Sequence, residues 1–382
     1  MRWKILLALL MAVAAATFVV TTETPVDDPV WWYTNDRPPR LSISGPSGPL
    51  RGVVEGTIAL EPADRAHIVS ISVDGRPGAS AERRLTIDST QLPDGPHRVE
   101  VVARDTSRRQ NEASATWTFI SDNTPPHVDV RLDPSEAPVE GHTFVIHIQS
   151  DKPTFALVGT LGTHPLRLQP DGDRSAWAVE GVSPDAQSPE LNLRLTFADA
   201  LGNAGTWQHT WLVTRTPFPE DDLTLDPGAI AAEARADENS RLGAIYRSED
   251  GPPQWAGPFR LPVEGPVTTE FGTHRSYEYH PGTDFAVPQG APVAAPAPGT
   301  VVYEGKLPAR GNVLVLDHGA GVYSTYAHLE RFEVDPGTEV RAGQTIARVG
   351  TTGFSTGPHL HWELWVDGAN VDPVEWTRRT FP

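Results

Sequence analysis

From Leu41 onward apolar and polar residues alternate, the period of a strand with one face buried and one face in water. The same period returns at 68–73, 84–87 and 98–103, and the breaks fall at turn formers, Asp74-Gly75 and Pro93-Asp94-Gly95. The pattern then repeats. Val99-Glu-Val-Val-Ala-Arg-Asp105 is matched by Leu193-Arg-Leu-Thr-Phe-Ala-Asp199, and each Asp is followed by a turn carrying an asparagine, Asn111 or Asn203. A tryptophan stands twelve residues beyond each Asp (Trp117, Trp211), and Thr124-Pro125-Pro126 and Thr216-Pro217 close two units spaced about 94 residues apart. Strand, turn, strand and proline stop, given twice, predict tandem β-sandwiches over 38–124 and 125–217. Asp105 and Asp199 are expected to shape turns rather than bind calcium, because no cluster of oxygen ligands accompanies them. Over 218–260 the period changes. Asp226-Pro227 forms an N-cap and first-turn pair, and Ile230, Ala234, Leu242, Ile245 and Tyr246 fall on one stripe, which predicts a single packed helix as linker. From 261 to 382 the pattern is again that of strands.

The two repeated units resemble bacterial immunoglobulin-like modules, chiefly at Leu92-Pro-Asp-Gly-Pro-His97 and Asp122-Asn-Thr-Pro-Pro126. Composition agrees with folded, strand-rich domains: 38% of the residues are hydrophobic, 11 Trp, 7 Tyr and 12 Phe supply core volume, and 37 Pro with 33 Gly favour short strands and turns. A length of 382 residues calls for two or three cores. The net charge of −18, with no local basic patch, argues against a nucleic-acid partner. The absence of cysteine excludes disulfides, thiolate-bound zinc, a thiol nucleophile and a lipidated N-terminal cysteine, so any metal must be held by His and carboxylates. At the start, Arg2 and Lys4 precede a 16-residue apolar run at 5–20 with small-residue cleavage sites at Ala12-Val13-Ala14 and Ala14-Ala15-Ala16. This predicts export by a segment at 1–24 that is either a cleaved signal or a single retained membrane anchor, the run being slightly short of the ~20 residues of a span.

Three arrangements in the last domain carry chemistry. His280-Pro-Gly-Thr-Asp284 pairs an imidazole with a carboxylate, a weak signal alone. In His359-Leu-His-Trp-Glu-Leu-Trp-Val366 a period of two puts Leu360, Trp362, Leu364 and Val366 on a core face, and His359, His361, Glu363 and Trp365 on the other. Two imidazoles backed by a packed strand are a rigid base for a metal site, though two chance surface histidines would give the same pattern. Tyr323-Ser-Thr-Tyr-Ala-His-Leu329, preceded by Asn312-Val-Leu-Val-Leu-Asp-His318 and Gly319-Ala-Gly321, predicts a hairpin with His328 and Tyr326 on one face and Ala327 and Leu329 on the other.

Together these segments resemble the LytM/lysostaphin-type endopeptidases, the M23 metallopeptidase family, over about 120 residues. The pattern runs in order through Phe271-Gly272, His280 and Asp284, Gly290-Ala-Pro-Val293 with Gly299-Thr-Val301, and Tyr326-Ala-His-Leu329. It continues through Gly337, Val340 and Gly343-Gln344 to Gly353 and Gly357-Pro-His-Leu-His361. The resemblance implies zinc ligands at His280, Asp284 and His361 and catalytic histidines at His328 and His359. All five positions are filled, whereas relatives that only activate other wall hydrolases typically lack some of them. Two His and one Asp leave one zinc coordination position open. With no HExxH glutamate in the chain, a histidine titrating near 6.5 is the natural proton carrier, and the other can stabilise developing charge. Tyr277 and Tyr279 are candidates for an added tyrosine near the first ligand; His318 and His274 are expected to be structural or exposed.

Two patterns mislead. Gly353-Phe-Ser-Thr-Gly357 fits the GxSxG of serine hydrolases, but that elbow needs a strand before and a helix after it, and Pro358 and a strand follow. Val340-Arg-Ala-Gly-Gln-Thr-Ile346 is similar to biotinyl and lipoyl carriers, which need a lysine in a tight turn; no lysine follows Lys306. The expectation is an all-β chain: two immunoglobulin-like sandwiches, a helical linker at 218–260, and an M23-type zinc peptidase domain at 261–382 acting on peptidoglycan, with possible envelope protein partners for the sandwiches. Its rival is a zinc-binding but non-hydrolytic envelope protein that activates a partner amidase.

Overall fold

The computed structural model describes residues 31–78, 83–134, 137–221, 232–248, 251–274 and 279–382. The 1–24 segment, Asp226-Pro227, Ile230 and Tyr277 lie outside the described residues. The chain is nearly all β and divides into two compact units, 1–125 with 199–203, and 126–198 with 204–382.

In the first unit the alternation becomes two sheets around one core. Arg40–Ser44, Val53–Glu61 and Arg84–Asp88 form a three-stranded antiparallel sheet, and along Val53–Glu61 every second residue is buried. The other sheet is built on Gly95–Asp105, which pairs with Glu112–Ser121 and Ala66–Val73. Leu41, Ile58 and Leu85 of one sheet share a core with Val99, Val101 and Trp117 of the other. Trp117 fills its place only because position 45 is glycine: a Cβ there would lie 2.5 Å from the indole ring.

The second unit begins with two four-stranded sheets. One contains Val128–Asp133, Thr143–Ser150 and Ser175–Gly181; the other contains Val158–Leu161, Glu190–Ala198 and Ala204–Leu212. The turn aspartates behave as their sequence context predicts. Asp105 Oδ1 accepts from the backbone N–H groups of Ser107 and Asn111, both at 3.1 Å, and Asp199 Oδ1 accepts from those of Leu201 and Asn203, both at 2.9 Å. In each turn the asparagine amide donates to the remaining carboxylate oxygen. Thr143–Ser150 departs from simple alternation because both its faces are covered. Ile146 and Ile148 point into the core of these sheets, while Val145, with Val179, joins the core of the C-terminal domain.

That domain is a ten-stranded sheet centred on the long strand Val322–Phe332, which pairs with Gly311–Asp317 on one side and Leu360–Val366 on the other. One face carries the large core of Leu360, Trp362, Leu364, Val366, Leu314 and Leu316. The opposite face is closed by the helix Ala232–Ile245, whose Leu242, with Tyr246 just beyond its end, packs on Val313, Val315, Tyr323 and Ala327. The Tyr246 ring stacks on Trp365 with centroids 4.4 Å apart. This helix thus covers the sheet face from which the histidines project.

Candidate metal centre

Thr283–Phe285 pairs antiparallel with Leu360–Val366, placing Asp284 directly opposite His361. Across the next pairing His361 stands opposite Ala327, so the smallest apolar side chain of that strand leaves room beside the imidazole. The sheet register therefore gathers donors far apart in sequence. His361 Nδ1 lies 2.8 Å from Asp284 Oδ1 and 3.1 Å from His280 Nε2, and His280 Nε2 lies 3.0 Å from Asp284 Oδ2. One donor atom from each of the three falls within 4.8 Å of the others, and all three residues are buried.

His328 and His359 stand beside this group, with ring centroids 4.7 Å apart and His328 5.9 Å from the His361 ring. His328 arrives there by a route the alternation did not anticipate. Tyr326 and Leu329 share the large core, and Ala327 lies in the other. Expecting His328 with Tyr326 on one face and Ala327 with Leu329 on the other is therefore incorrect. The reason is local: His328 has φ +60°, a left-handed conformation uncommon for a residue with a Cβ, and the register against Asn312 and Leu314 slips at this point. The kink is held by His328 N–H donating to Arg310 O at 2.8 Å and its Nδ1 donating to Thr352 O at 2.8 Å.

Each of the four imidazoles has one nitrogen engaged by an acceptor outside the centre. His280 Nδ1 meets Glu270 O at 3.0 Å, His359 Nδ1 meets Gly357 O at 2.8 Å, and His361 Nε2 meets Glu363 Oε1 at 3.0 Å. A carbonyl or carboxylate oxygen can only accept, so these nitrogens carry the hydrogen. In their neutral form His280 and His361 therefore have their lone pairs on the atoms that face each other, where, without a cation, a second proton can bridge to Asp284.

Electrostatics favours a positive charge between the donors. Burial works against ionising Asp284, but hydrogen bonds from His280 and His361 outweigh it and hold its carboxyl far below the usual range. Burial likewise opposes a proton on His361, yet Asp284 and Glu363 raise it to about 9. The field that holds a proton there is one that would hold a cation. His328 is pushed down to about 3, chiefly by burial and then by His361 and His359, and so stays neutral in neutral solution.

Sequence reasoning put Glu363 on the histidine face without giving it a role, and missed Arg310 and Glu238 altogether. Glu363 is fully buried between His361, Arg310 Nε at 2.7 Å, and Trp365 Nε1 at 2.8 Å. Arg310 Nη1 continues to Glu238 Oε1 at 3.0 Å on the helix, whose carboxylate also accepts from the backbone N–H groups of Ala309 and Arg310. Two buried carboxylates flank one guanidinium, and the chain ends on the back of His361. Burial resists ionisation of Glu363, but Arg310 more than reverses it.

Around the centre lies a cleft of about 440 Å³, bordered by Arg235 and Asn239 of the helix and by Phe354. Tyr279 packs edge-on against His274 and Phe218, and is not among the described residues lining the cleft. His318 is structural: it is wholly buried, it bridges Pro298 O and Ser324 Oγ, and burial lowers it to about 4. Ser355 comes within 3.3 Å of His359 Nδ1, but its hydroxyl donates to Gly357 O at 2.8 Å on a loop with no helix following.

Gly282, between His280 and Asp284, tests how tightly the pairing is built. A Cβ there would sit 2.4 Å from Trp362 O and 2.9 Å from the His361 ring. Gly282→Ala is expected to separate the two strands and lower metal content with little loss of secondary structure. Elemental analysis beside far-UV circular dichroism checks this; full metal content in the variant would contradict it.

Residues 278–373 match the family model of Peptidase family M23. Over 99 residues the chain is 44% identical to DD-carboxypeptidase/endopeptidase Mpg of Neisseria meningitidis serogroup B, covering 26% of this chain and 23% of the relative. Over 96 residues it is 45% identical to peptidoglycan DD-endopeptidase ShyB of Vibrio cholerae serotype O1, covering 25% of this chain and 22% of that one. The chain thus spans under a quarter of the length of these curated relatives. The catalytic domain of lysostaphin from Staphylococcus simulans aligns with a TM-score of 0.26 at 28% identity, over 36% of this chain and 96% of that domain. Residues 278–373 thus form an M23 peptidase domain.

Proposed function

We propose that the chain is a zinc-dependent endopeptidase that hydrolyses peptide bonds in peptidoglycan stem peptides or cross-bridges. The observation that carries this reading is the convergence of His280 Nε2, His361 Nδ1 and an Asp284 oxygen, with the other nitrogen of each histidine occupied by an acceptor. Two imidazoles and one carboxylate are a donor set that suits zinc, and three protein ligands leave a position open. The relatives named as peptidoglycan DD-endopeptidases support the choice of substrate.

When bound, zinc acts as a Lewis acid on a carbonyl oxygen and lowers the pKa of water to about 7. The chain's own residues do the rest. Glu363 orients His361, and the Glu270 carbonyl orients His280. His328 and His359 are each held by a carbonyl on Nδ1, so Nε2 of each is the nitrogen left to take a proton from water, return it to the departing amine, or donate to the oxyanion. The cleft beside them, walled by the linker helix, accommodates an extended peptide.

The preceding modules, read as immunoglobulin-like, would space or orient the domain against the wall or meet envelope protein partners. The proposed location is the envelope or the exterior, with the 1–24 segment as signal or anchor. Recovery of the intact chain free in the cytoplasm on fractionation would rule that location out. The purified full-length chain is expected to release soluble peptides from isolated peptidoglycan, to stop when chelated and to resume with added zinc. Zinc binding with no hydrolysis, but faster turnover by an added amidase, would favour the activator reading instead.

A further inference from the structure

A second group of donors lies away from the cleft, outside the metal centre described above. His164, in the short strand His164–Pro165, places Nε2 3.3 Å from Glu180 Oε2 and 3.7 Å from Asp367 Oδ2. Glu180 belongs to Ser175–Gly181 in the preceding sheets, and Asp367 sits at φ +46° in the turn after Leu360–Val366, the strand that carries His361. The two segments approach closely, since a Cβ on Gly181 would lie 2.6 Å from Val371. The Glu180 side chain is 2% exposed and that of Asp367 9%, yet Glu180 Oε1 and Asp367 Oδ2 have no hydrogen-bond partner among the described residues. Arg167 Nε donates to the other Asp367 oxygen at 2.7 Å. Arg167 thus answers Asp367, while the only cation-forming side chain that meets Glu180 among the described residues is the half-exposed His164, which Glu180 in turn holds in its protonated form.

An unpartnered buried carboxylate oxygen is unfavourable unless something positive reaches it. Burial foremost, with the neighbouring Asp367 carboxylate adding to it and His164 opposing it, raises Glu180 to about 7, so its charge is resisted near neutral pH. A proton can join two oxygens. Here three donors from three segments converge, with one atom from each within 4.8 Å of the others, and that is an arrangement for a central ion. We propose that His164, Glu180 and Asp367 form a second divalent-cation site, which fastens the sheet bearing Glu180 to the turn behind the active-site strand. An imidazole with two carboxylates selects a borderline cation such as zinc over calcium or magnesium, which prefer all-oxygen shells. His164, at 46% exposure, is the side open to water and the entry path.

The test uses the full chain, stripped by chelator, dialysed against zinc and counted by elemental analysis. The wild type is expected to hold two zinc ions, His164→Ala one, His280→Ala one, and the double variant none. In the His280→Ala background, saturating zinc should raise Tm, and Glu180→Gln should remove that rise. If His164→Ala binds as much zinc as the wild type, or His280→Ala binds none, the second site is refuted. A wild type with one ion that His164→Ala loses would instead support this site while refuting the catalytic metal. A stripped chain stabilised between pH 7 and pH 4.5 but indifferent to zinc would show that the pair holds a proton only, which also overturns the proposal.

Discussion

His361→Ala is expected to lose zinc and hydrolysis together, whereas His359→Ala and His328→Ala are expected to keep zinc near stoichiometric and lose roughly 10²–10⁴-fold in turnover, the scale of a positioned general acid–base. The asymmetry follows from where the lone pairs point. His361 contributes Nδ1 at 2.8 Å from Asp284 and 3.1 Å from His280, so its removal takes away one of three donors. His359 lies only two residues away, but its Nδ1 is bound to Gly357 O, and its Nε2 stands 3.8 Å from Asp284 Oδ1, outside the tight triangle. His328 is anchored through Thr352 and Arg310 and makes no direct bond to the three donors among those described. Metal content measured beside wall-lysis rate for the three variants decides the matter. If His359→Ala loses zinc as fully as His361→Ala, the division of roles fails even though the family holds. Unchanged lysis in all three variants would sink the peptidase reading itself.

How much of this centre is legible in the sequence depends on whether strand period alone controls the side chain. Along Leu360–Val366 it does: Leu360, Trp362, Leu364 and Val366 enter one core, while His361, Glu363 and Trp365 bond to each other on the far face. At His328 it does not, because a positive φ and a register slip rotate one residue out of phase, and no residue type in Tyr-Ala-His-Leu announces them. The helix stripe is legible through Leu242 and Tyr246, which are buried as the spacing predicts. What the helix contributes to the site is not. Glu238 reaches Arg310 across 72 positions, and Arg310 reaches Glu363 across 53, so neither partnership leaves a periodic trace. The sole signal was a glutamate two residues beyond a candidate metal-binding histidine on the same face, which is where the second nitrogen of such a histidine needs an acceptor.

Arg310→Met therefore carries the largest expected structural cost in the domain. The guanidinium bridges Glu363 at 2.7 Å and Glu238 at 3.0 Å, and both carboxylates are 0% exposed while Arg310 is 13% exposed. Removing it leaves two buried acids without their shared cation. Breaking a buried pair in this way typically costs about 3–5 kcal/mol, because the stranded charge loses its partner without regaining water. A second consequence reaches the metal. Among the described residues Glu363 would keep Trp365 Nε1 and His361 as partners, and its hold on the imidazole would loosen. Loss of such an outer hydrogen-bonding partner typically weakens metal binding by 10–100-fold. Arg310→Lys should be only a partial rescue, since an ammonium cannot present two separate donor edges to the two carboxylates. Glu363→Gln separates the two effects: the amide retains a carbonyl acceptor for His361 but relieves Glu238 of competition for Arg310, so zinc affinity should fall while the fold loses less than in Arg310→Met. Denaturant midpoints of the transition that includes the peptidase domain, read beside zinc dissociation constants for the three variants, measure both. An Arg310→Met chain as stable as wild type, with unchanged zinc affinity, would mean that the helix merely covers the sheet and takes no part in holding the centre.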